Sequence, residues 1–376
     1  MGRAPIRWLA GDPRRMMAGV RALSLLTVAV SLAACAARVP LHETQPALDV
    51  QWPQQTAGPK IVWVKTIARF QDAGVGKGFW ERAMEFFTGA EELRIVRPYG
   101  VLFDAAERLY IADPGAGAVH CLDMGKGRYS IIRGAGDTVL RTPIGLAEDD
   151  HGLLYITDST AGTVFLYDPS DGSLKPFLPK RLGRPTGIVF NRLNGLLYIV
   201  DTTGQRVVGV DRDGRERRRF GSPGNGAAEF NRPTDIAVDN RGQLYVTDPL
   251  NYQIKMFTQE GVAISQFGTA GEVAGTLDKP KGIAVDSEGH IYVCDALLDG
   301  IQIFDGQGRL LLSFGATGRG AGEFWMPSGI YIDQRDYIFV ADTYNRRIQV
   351  FRYVPGSGKE PGGGTEKPGV SGNRAP

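Results

Sequence analysis

The sequence has 376 residues with a formal net charge of +2, and 43% of its residues are hydrophobic. The first 34 residues hold five arginines and one aspartate, so the remainder has 38 basic and 40 acidic residues and a net charge of −2. This balance argues against general nucleic-acid binding, which needs a basic surface. Three cysteines and four histidines are too few and too scattered for a disulfide framework or a zinc cluster.

The N-terminus has the pattern of an export signal. Five arginines accompany an apolar run over residues 22–34, which is too short to span a bilayer as a mature helix. The run ends in Leu-Ala-Ala followed by Cys35, which resembles the lipobox of bacterial lipoproteins. The resemblance implies that residues 1–34 are a signal peptide and that Cys35 is acylated, as by palmitate. An ordinary signal peptide with an incidental cysteine is the alternative.

Three stretches lie outside the regular pattern of the chain. Residues 35–58 hold scattered prolines without periodicity, so we interpret them as the lipidated N-terminus and a tether. Residues 79–87 have apolar side chains at helical spacing, which predicts one short amphipathic helix before the first repeat. Residues 355–376 are rich in Gly, Pro and Lys, cannot bury a core and are predicted to be disordered.

Six repeats fill residues 59–354, aligned on a proline that opens each first strand and an aspartate that ends each second strand. The prolines are 42 to 48 residues apart, at Pro98, Pro143, Pro185, Pro233, Pro280 and Pro327. The aspartates, called the blade aspartates below, are Asp113, Asp158, Asp201, Asp248, Asp295 and Asp342. A period of 40 to 50 residues with about four strands per repeat predicts an all-β propeller of six four-stranded blades.

The last repeat lacks a fourth strand, and residues 60–67 form a strand-like segment without a blade of its own. We therefore expect this N-terminal segment to supply the outer strand of blade six and so close the ring without an unpaired seam. The repeats resemble NHL repeats, best seen in KPKGIAVDSEGHIYVCD at 279–295 and DTYNRRIQVF at 342–351. The chain also looks like the lipoprotein-type NHL proteins of bacterial envelopes, whose role is generally not known.

The first strand starts and the second strand ends on one face of a propeller, here named the Pro-motif face. We interpret the blade aspartates as structural groups that cap the following turn and pair with a neighbouring base. Departures from the six-fold pattern are more informative about function. Blade four has Asp235 where the other five blades have glycine, and this carboxylate could hold a ligand or cation. Pairing with Arg232 or Lys281 is the interpretation that we favour.

The loops after the blade aspartates also differ between blades. Blades four to six carry apolar tips, which could form one protein-binding patch or pack on neighbouring loops. These tips are Leu250, Tyr252, Leu297, Leu298 and Tyr344.

Catalytic groups do not converge in the predicted fold. His120, His151 and His290 fall in different blades and on different faces, so a histidine-bound metal is not supported. A lactonase-like calcium site needs only carboxylates and amides, for which Asp235, Asn251 and Asn345 are the candidates. No other cofactor is expected, and Cys121 and Cys294 are predicted to be buried thiols too far apart for a disulfide.

Three functions remain open from the sequence. The first is a non-catalytic, membrane-anchored envelope lipoprotein that binds another envelope protein through its exposed loops. Its propeller is expected to be monomeric. The second is a metal-dependent lactonase or hydrolase at the channel, and the third is recognition of envelope polysaccharide or peptidoglycan. Ala36 is not the aspartate that marks inner-membrane retention, which favours an outer-membrane anchor facing the periplasm. The export signal excludes nucleic acid as the usual partner.

Overall fold

The computed structural model describes residues 50–54, 58–75, 94–136 and 138–356. The signal peptide with Cys35, the helix predicted over 79–87 and residues 357–376 lie outside this part of the chain. Six antiparallel sheets form the blades, and their first strands contact one another in a closed cycle. The predicted all-β, six-bladed propeller is confirmed. Within the described ranges, no helix has the length and apolar character needed to cross a membrane.

Each of the first three blades has four strands, numbered from the channel outwards. Blade one consists of Val101–Phe103, Arg108–Asp113, Ala118–Asp123 and Arg128–Ile132. Blade two consists of Pro143–Glu148, Leu154–Asp158, Thr163–Asp168 and Ser173–Pro176. Blade three consists of Pro185–Asn191, Leu196–Asp201, Arg206–Val210 and Glu216–Phe220.

The last three blades follow the same plan. Blade four consists of Ile236–Val238, Leu244–Asp248, Gln253–Phe257 and Ala263–Phe267. Blade five consists of Pro280–Val285, Ile291–Asp295, Gly300–Phe304 and Leu310–Phe314. Blade six consists of Pro327–Ile332, Tyr337–Asp342, Arg347–Val354 and the N-terminal strand Lys60–Ile67.

Short elements connect the blades. Two 3-10 helices are described, Phe70–Ala73 and Pro249–Asn251. Small two-stranded pairs join Gly134–Ala135 to Thr138–Val139 and Ser222–Pro223 to Glu229–Phe230.

The N-terminal strand closes the ring as the sequence predicts. Lys60 lies opposite Val354 and Ile67 opposite Ile348 in an antiparallel ladder. The preceding strand Gln51–Trp52 extends this sheet, although these two residues belong to the predicted tether. The tether interpretation is therefore wrong for residues 51–52, because the Trp52 ring packs on the rings of Phe314 and Phe351, with centroids 5.3 and 6.0 Å away.

The hydrophobic core lies between neighbouring blades. Successive side chains on a strand point to opposite faces, so one blade contributes to two cores. Leu244 and Val246 of blade four pack with residues of blade three, whereas Tyr245 between them packs with Ile283 of blade five. Burying each such aliphatic side chain contributes about 1.5 to 3 kcal/mol relative to leaving it exposed.

Buried long side chains hold the connectors that enter blades four and six. The Nζ of Lys255, which is fully buried, donates to the carbonyl oxygens of Gly226 (2.8 Å) and Glu229. Arg347 makes the equivalent bonds to the carbonyls of Gly320 and Glu323 at 2.9 and 2.7 Å. These bonds tie the connector loops of the Pro-motif face to buried side chains of the third strands.

Candidate functional site

The blade aspartates hold the Pro-motif face together. Pro143 and Asp158 are cross-strand neighbours, and equivalent pairs recur in blades three, five and six. Asp158 Oδ2 accepts hydrogen bonds from the backbone N–H groups of Arg141 and Thr142, at 2.6 and 2.9 Å. Its other oxygen accepts from the N–H of Ala161 in the following turn at 2.9 Å. All six blade aspartates are fully buried, so these bonds offset the cost of removing a carboxylate from water.

The basic partners of the blade aspartates come from third strands. Asp201 pairs with Arg206 at 3.0 Å, Asp248 with Lys255 at 3.1 Å and Asp342 with Arg347 at 2.6 Å. Asp113 meets His120 Nε2 at 3.2 Å, and this hydrogen bond, opposing the effect of burial, holds the pKa of Asp113 below its usual value.

The bases that precede the prolines do not take part in these pairs. The side chains of Arg97, Arg184, Arg232 and Lys279 are exposed and form no ion pair within the described part of the chain. These residues are therefore not the neighbouring bases with which the blade aspartates are predicted to pair. Instead the acids turn inward to backbone amides and third-strand bases, which leaves the mouth with unpaired cations.

The first strands enclose an axial channel of about 210 Å³. Near the Pro-motif mouth, the backbones of neighbouring first strands are too close to leave room for a Cβ between them. A Cβ on Gly100 would overlap the carbonyl oxygen of Ile144, and one on Gly329 would overlap the carbonyl oxygen of Tyr99. Five blades have glycine at the position equivalent to Asp235 because neighbouring first strands approach closely there. Blade four departs from this pattern with Asp235, and a Cβ on Gly187 of blade three would lie only 2.5 Å from the Asp235 Cα.

Asp235 lines the channel, with backbone amides as its partners. Its Oδ2 accepts a hydrogen bond from the N–H of Ile283 at 3.2 Å. Neither Arg232 nor Lys281 forms an ion pair with it in the described ranges, so the favoured pairing is wrong. Burial raises the pKa of Asp235 to about 7, although the N–H groups of Ile236 and Ile283 act to lower it.

Two further side chains occupy the same mouth. Lys281 Nζ lies 6.0 Å from the centroid of the Tyr99 ring. Burial, together with the nearby charges of Lys279 and Arg97, lowers the pKa of Lys281 from its ordinary value. Burial and the Asp235 carboxylate raise the pKa of Tyr99, while the cationic Arg184 acts to lower it. Residues from blades one, three, four and five thus influence one another electrostatically at the axis.

A second carboxyl group, Glu148, lines the channel at the end of the first strand of blade two. Burial raises its pKa to about 7, the nearby Asp104 adds to the effect, and Arg108 and Arg192 oppose it. Sequence reasoning missed this residue. The signal was present, since the equivalent positions in the other blades are all apolar: Phe103, Phe190, Val238, Val285 and Ile332.

Most of the predicted apolar tips are exposed on the Pro-motif face of blades four to six. Leu250 is 53% exposed, Leu297 52% and Tyr344 45%, and Tyr252 is exposed as well. Leu298 is half-buried. Trp325, which sequence reasoning did not select, joins this set with its ring centroid 5.6 Å from that of Tyr344. Leu250, Tyr252, Leu297, Trp325 and Tyr344 are called the apolar crescent below.

The proposed calcium ligands do not come together. The side-chain amide of Asn251 donates to Asp248 and to the carbonyl of Gly224, at 2.7 and 2.8 Å. Asn345 makes the equivalent bonds to Asp342 and to the carbonyl of Gly318. Both amides therefore brace loops, whereas Asp235 faces the channel. Across the described residues, no three His, Cys, Asp or Glu side chains are grouped as a metal site would require.

The histidines and cysteines of the described ranges lie away from the channel. His120 contacts Asp113 and Tyr129, and His290 Nδ1 contacts Asp286 at 2.8 Å. The Asp286 hydrogen bond raises the pKa of His290. Cys121 and Cys294 are free and buried, in agreement with the prediction. Among the described residues that line the channel there is no histidine or cysteine.

Comparisons with known proteins agree with this geometry. Residues 230–255 match the model of the NHL repeat, and residues 277–354 match a family model described as a six-bladed beta-propeller. The chain is a six-bladed β-propeller with an NHL-repeat match in blade four. Both matched segments lie in blades four to six.

Solved structures similar to this propeller have different activities. A virginiamycin B lyase from Staphylococcus aureus is 18% identical, with 69% of this chain and 96% of that chain covered and a TM-score of 0.53. A gluconolactonase from Xanthomonas campestris is also 18% identical, with 69% and 86% covered and a TM-score of 0.53. A protein of unknown function from Bacteroides thetaiotaomicron is 13% identical, with 70% and 71% covered and a TM-score of 0.55. At these identities the likeness concerns the fold alone.

Proposed function

We propose that this propeller is an exported, lipid-anchored scaffold that binds another envelope protein through the apolar crescent. The observation that supports the proposal is the exposure of five large apolar side chains on one face of three adjacent blades. Exposed apolar side chains that cluster, particularly aromatic ones, are typical of protein interfaces. Single exposed apolar residues elsewhere on a surface carry no such meaning.

The crescent has the rigidity that an interface needs. Its loops follow the buried blade aspartates, and Asn251 and Asn345 tie those loops to the preceding connectors. Trp325 is held against Tyr344, and the Arg319 guanidinium lies 5.9 Å from the centroid of its ring. A preorganised surface loses little conformational entropy on binding, which favours affinity. Trp, Tyr and Arg are also the residue types that most often dominate binding energy.

Membrane attachment is the second component of the proposal and rests on the lipobox-like sequence before Cys35. We expect acylation of Cys35 to hold the propeller on the outer membrane, in the periplasm. The test is fractionation of cells that express the Cys35→Ala variant. The variant should move from the membrane to the soluble fraction, whereas equal membrane retention of both proteins would contradict the proposed anchor.

A catalytic alternative is a hydrolase in the channel. Its specific support is the pair of channel carboxyl groups, Asp235 and Glu148, whose pKa values are both raised to about 7. Such groups can exchange protons near neutral pH and often mark functional sites. Lyase activity has less support, because a histidine-to-alanine variant of the virginiamycin lyase is described as catalytically inactive. No histidine is among the described residues that line this channel.

The scaffold proposal is tested by site-specific photocrosslinking in cells. A photoreactive amino acid at Leu250 or Tyr344 should give one discrete adduct of the same partner. Leu193 is the matched control, because it is 62% exposed but lies in a first-to-second strand turn on the other face.

A second change makes the crosslinking test specific. Leu297→Glu places a charge in the centre of the crescent and should reduce the adduct from Tyr344 about tenfold without lowering the melting temperature. Equal adducts from Leu193, or an adduct unaffected by Leu297→Glu, would argue against the crescent as the binding surface. Turnover of a lactone or ester by the purified protein, lost in Asp235→Asn, would favour the catalytic alternative.

A further inference from the structure

The Pro-motif mouth of the channel collects cations that form no ion pair among the described residues. Arg97, Arg184, Arg232 and Lys279 stand before the prolines of four blades, and Lys281 lies two residues further along the chain. Within the described residues, none of these five side chains forms an ion pair or a side-chain hydrogen bond. The blade aspartates do not neutralise them, because their oxygens are directed to backbone amides and third-strand bases.

The like charges at this mouth repel one another. Lys281 is half-buried, and its pKa is lowered by burial and by the like charges of Lys279 and Arg97. An anion at the mouth would remove this repulsion, since clefts lined by charge of one sign attract counter-ions. The effect is strengthened where protein walls exclude water and reduce the local dielectric.

The channel also has polar groups, next to the cations, that can hydrogen-bond an uncharged part of a ligand. Asp235 faces the channel and receives an N–H from Ile283, which leaves other lone pairs of the carboxyl group for a ligand donor. The hydroxyl of Tyr99, at the same mouth, has no hydrogen-bond partner among the described residues. The volume of about 210 Å³ restricts the occupant to a small molecule, because drug-sized ligands occupy about 300 Å³ or more.

We propose that this mouth binds a small organic anion that also carries a hydroxyl group. Its carboxylate lies against Lys281 and the neighbouring cations, and its hydroxyl donates to Asp235. This site is distinct from the apolar crescent and does not depend on the proposed protein partner. A hydroxy acid is the simplest ligand that satisfies both requirements.

The test is isothermal titration calorimetry of the purified propeller with malate and with succinate, which differ by one hydroxyl group. Malate should bind with a Kd below about 1 mM, and raising NaCl to 0.5 M should weaken binding, because salt screens the exposed cations. Lys281→Gln and Arg97→Gln should each weaken malate binding about tenfold. Asp235→Asn, with its changed hydrogen-bonding pattern, should reduce the preference for malate over succinate.

Arg215→Gln is the matched control, because Arg215 is an exposed arginine on blade three that pairs with Asp213 at 2.7 Å. It should leave malate affinity unchanged. No binding of either acid by the folded wild type would overturn the proposal. So would an equal loss in Arg215→Gln and Lys281→Gln, since that result would mean attraction by overall charge. Because Arg97 is exposed, Arg97→Gln remains informative if Lys281→Gln does not fold.

Discussion

Blades one to three and blades four to six share one backbone plan but present different groups on the Pro-motif face. The loop after the blade aspartate is built from small residues in blade one, Pro114-Gly115-Ala116-Gly117, whereas blades four to six carry the apolar crescent. The buried Lys255 and Arg347 brace the connectors into blades four and six through hydrogen bonds to their carbonyl oxygens. Arg206 of blade three, at the position of Arg347, is 29% exposed, and its one ion pair among the described residues is with Asp201.

This difference shows that blades with the same strand plan can carry different residues in their loops. In blades four and six the bracing groups are buried and bind the connectors, so the exposed tips Leu250 and Tyr344 take no part in these hydrogen bonds. The family models match this same half, at residues 230–255 and 277–354. All five residues of the apolar crescent lie within these matched segments, so the repeat scaffold and the exposed loop tips occur together in this half.

The largest expected effect concerns the seam that closes the ring, where the N-terminal strand completes blade six. Deleting residues 60–67 removes the outer strand of blade six and exposes the edge of Arg347–Val354. It also removes the buried Ile61 and Ile67. We expect the melting temperature to fall by on the order of 10 °C or more, measured by circular dichroism. Deleting residues 357–376 is the control, and an unchanged melt after the first deletion would contradict the proposed importance of the seam.

An intermediate effect compares the ion pairs that blade aspartates form in the two halves. Lys255→Met leaves Asp248 buried without its cation and removes the donor to two loop carbonyls. Breaking a buried pair of this kind costs about 3 kcal/mol or more. Arg206→Met removes a partly exposed partner of Asp201 and should cost about 1 kcal/mol. Urea denaturation of both variants measures the difference, and equal losses would refute the contrast between the halves.

The fold could be predicted because six copies repeat in register and the last copy visibly lacks a strand. The site could be predicted only where a residue breaks the repeat at a position that is otherwise constant. Asp235 is such a residue, because the other five blades have glycine there, whereas the apolar residues at the position of Glu148 differ in type from blade to blade. The partners of Asp235 and of the blade aspartates could not be predicted, because they depend on side-chain directions and long-range approach rather than on spacing along the chain.

The smallest expected effect concerns the carboxyl group that blade four contributes to the channel. The folded-state pKa of Asp235 is raised from its ordinary value of 3.8 to about 7. Between these two values the unfolded chain loses the proton while the folded protein keeps it. Stability contributed by the neutral group is therefore present at low pH, falls as pH rises from about 4 to about 7, and then stays constant.

Asp235→Asn should remove this pH dependence, because the amide stays neutral and its oxygen can still accept the N–H of Ile283. At pH 8 the variant should be more stable than the wild type by about 2 kcal/mol, which is roughly half of the full effect of the shift because the channel admits water. At pH 4 the two proteins should be nearly equal. Asp213→Asn, at an exposed site, is the control that should show no such trend. A stability difference that does not change between pH 4 and pH 8 would mean that Asp235 ionises in the folded channel as it does in water.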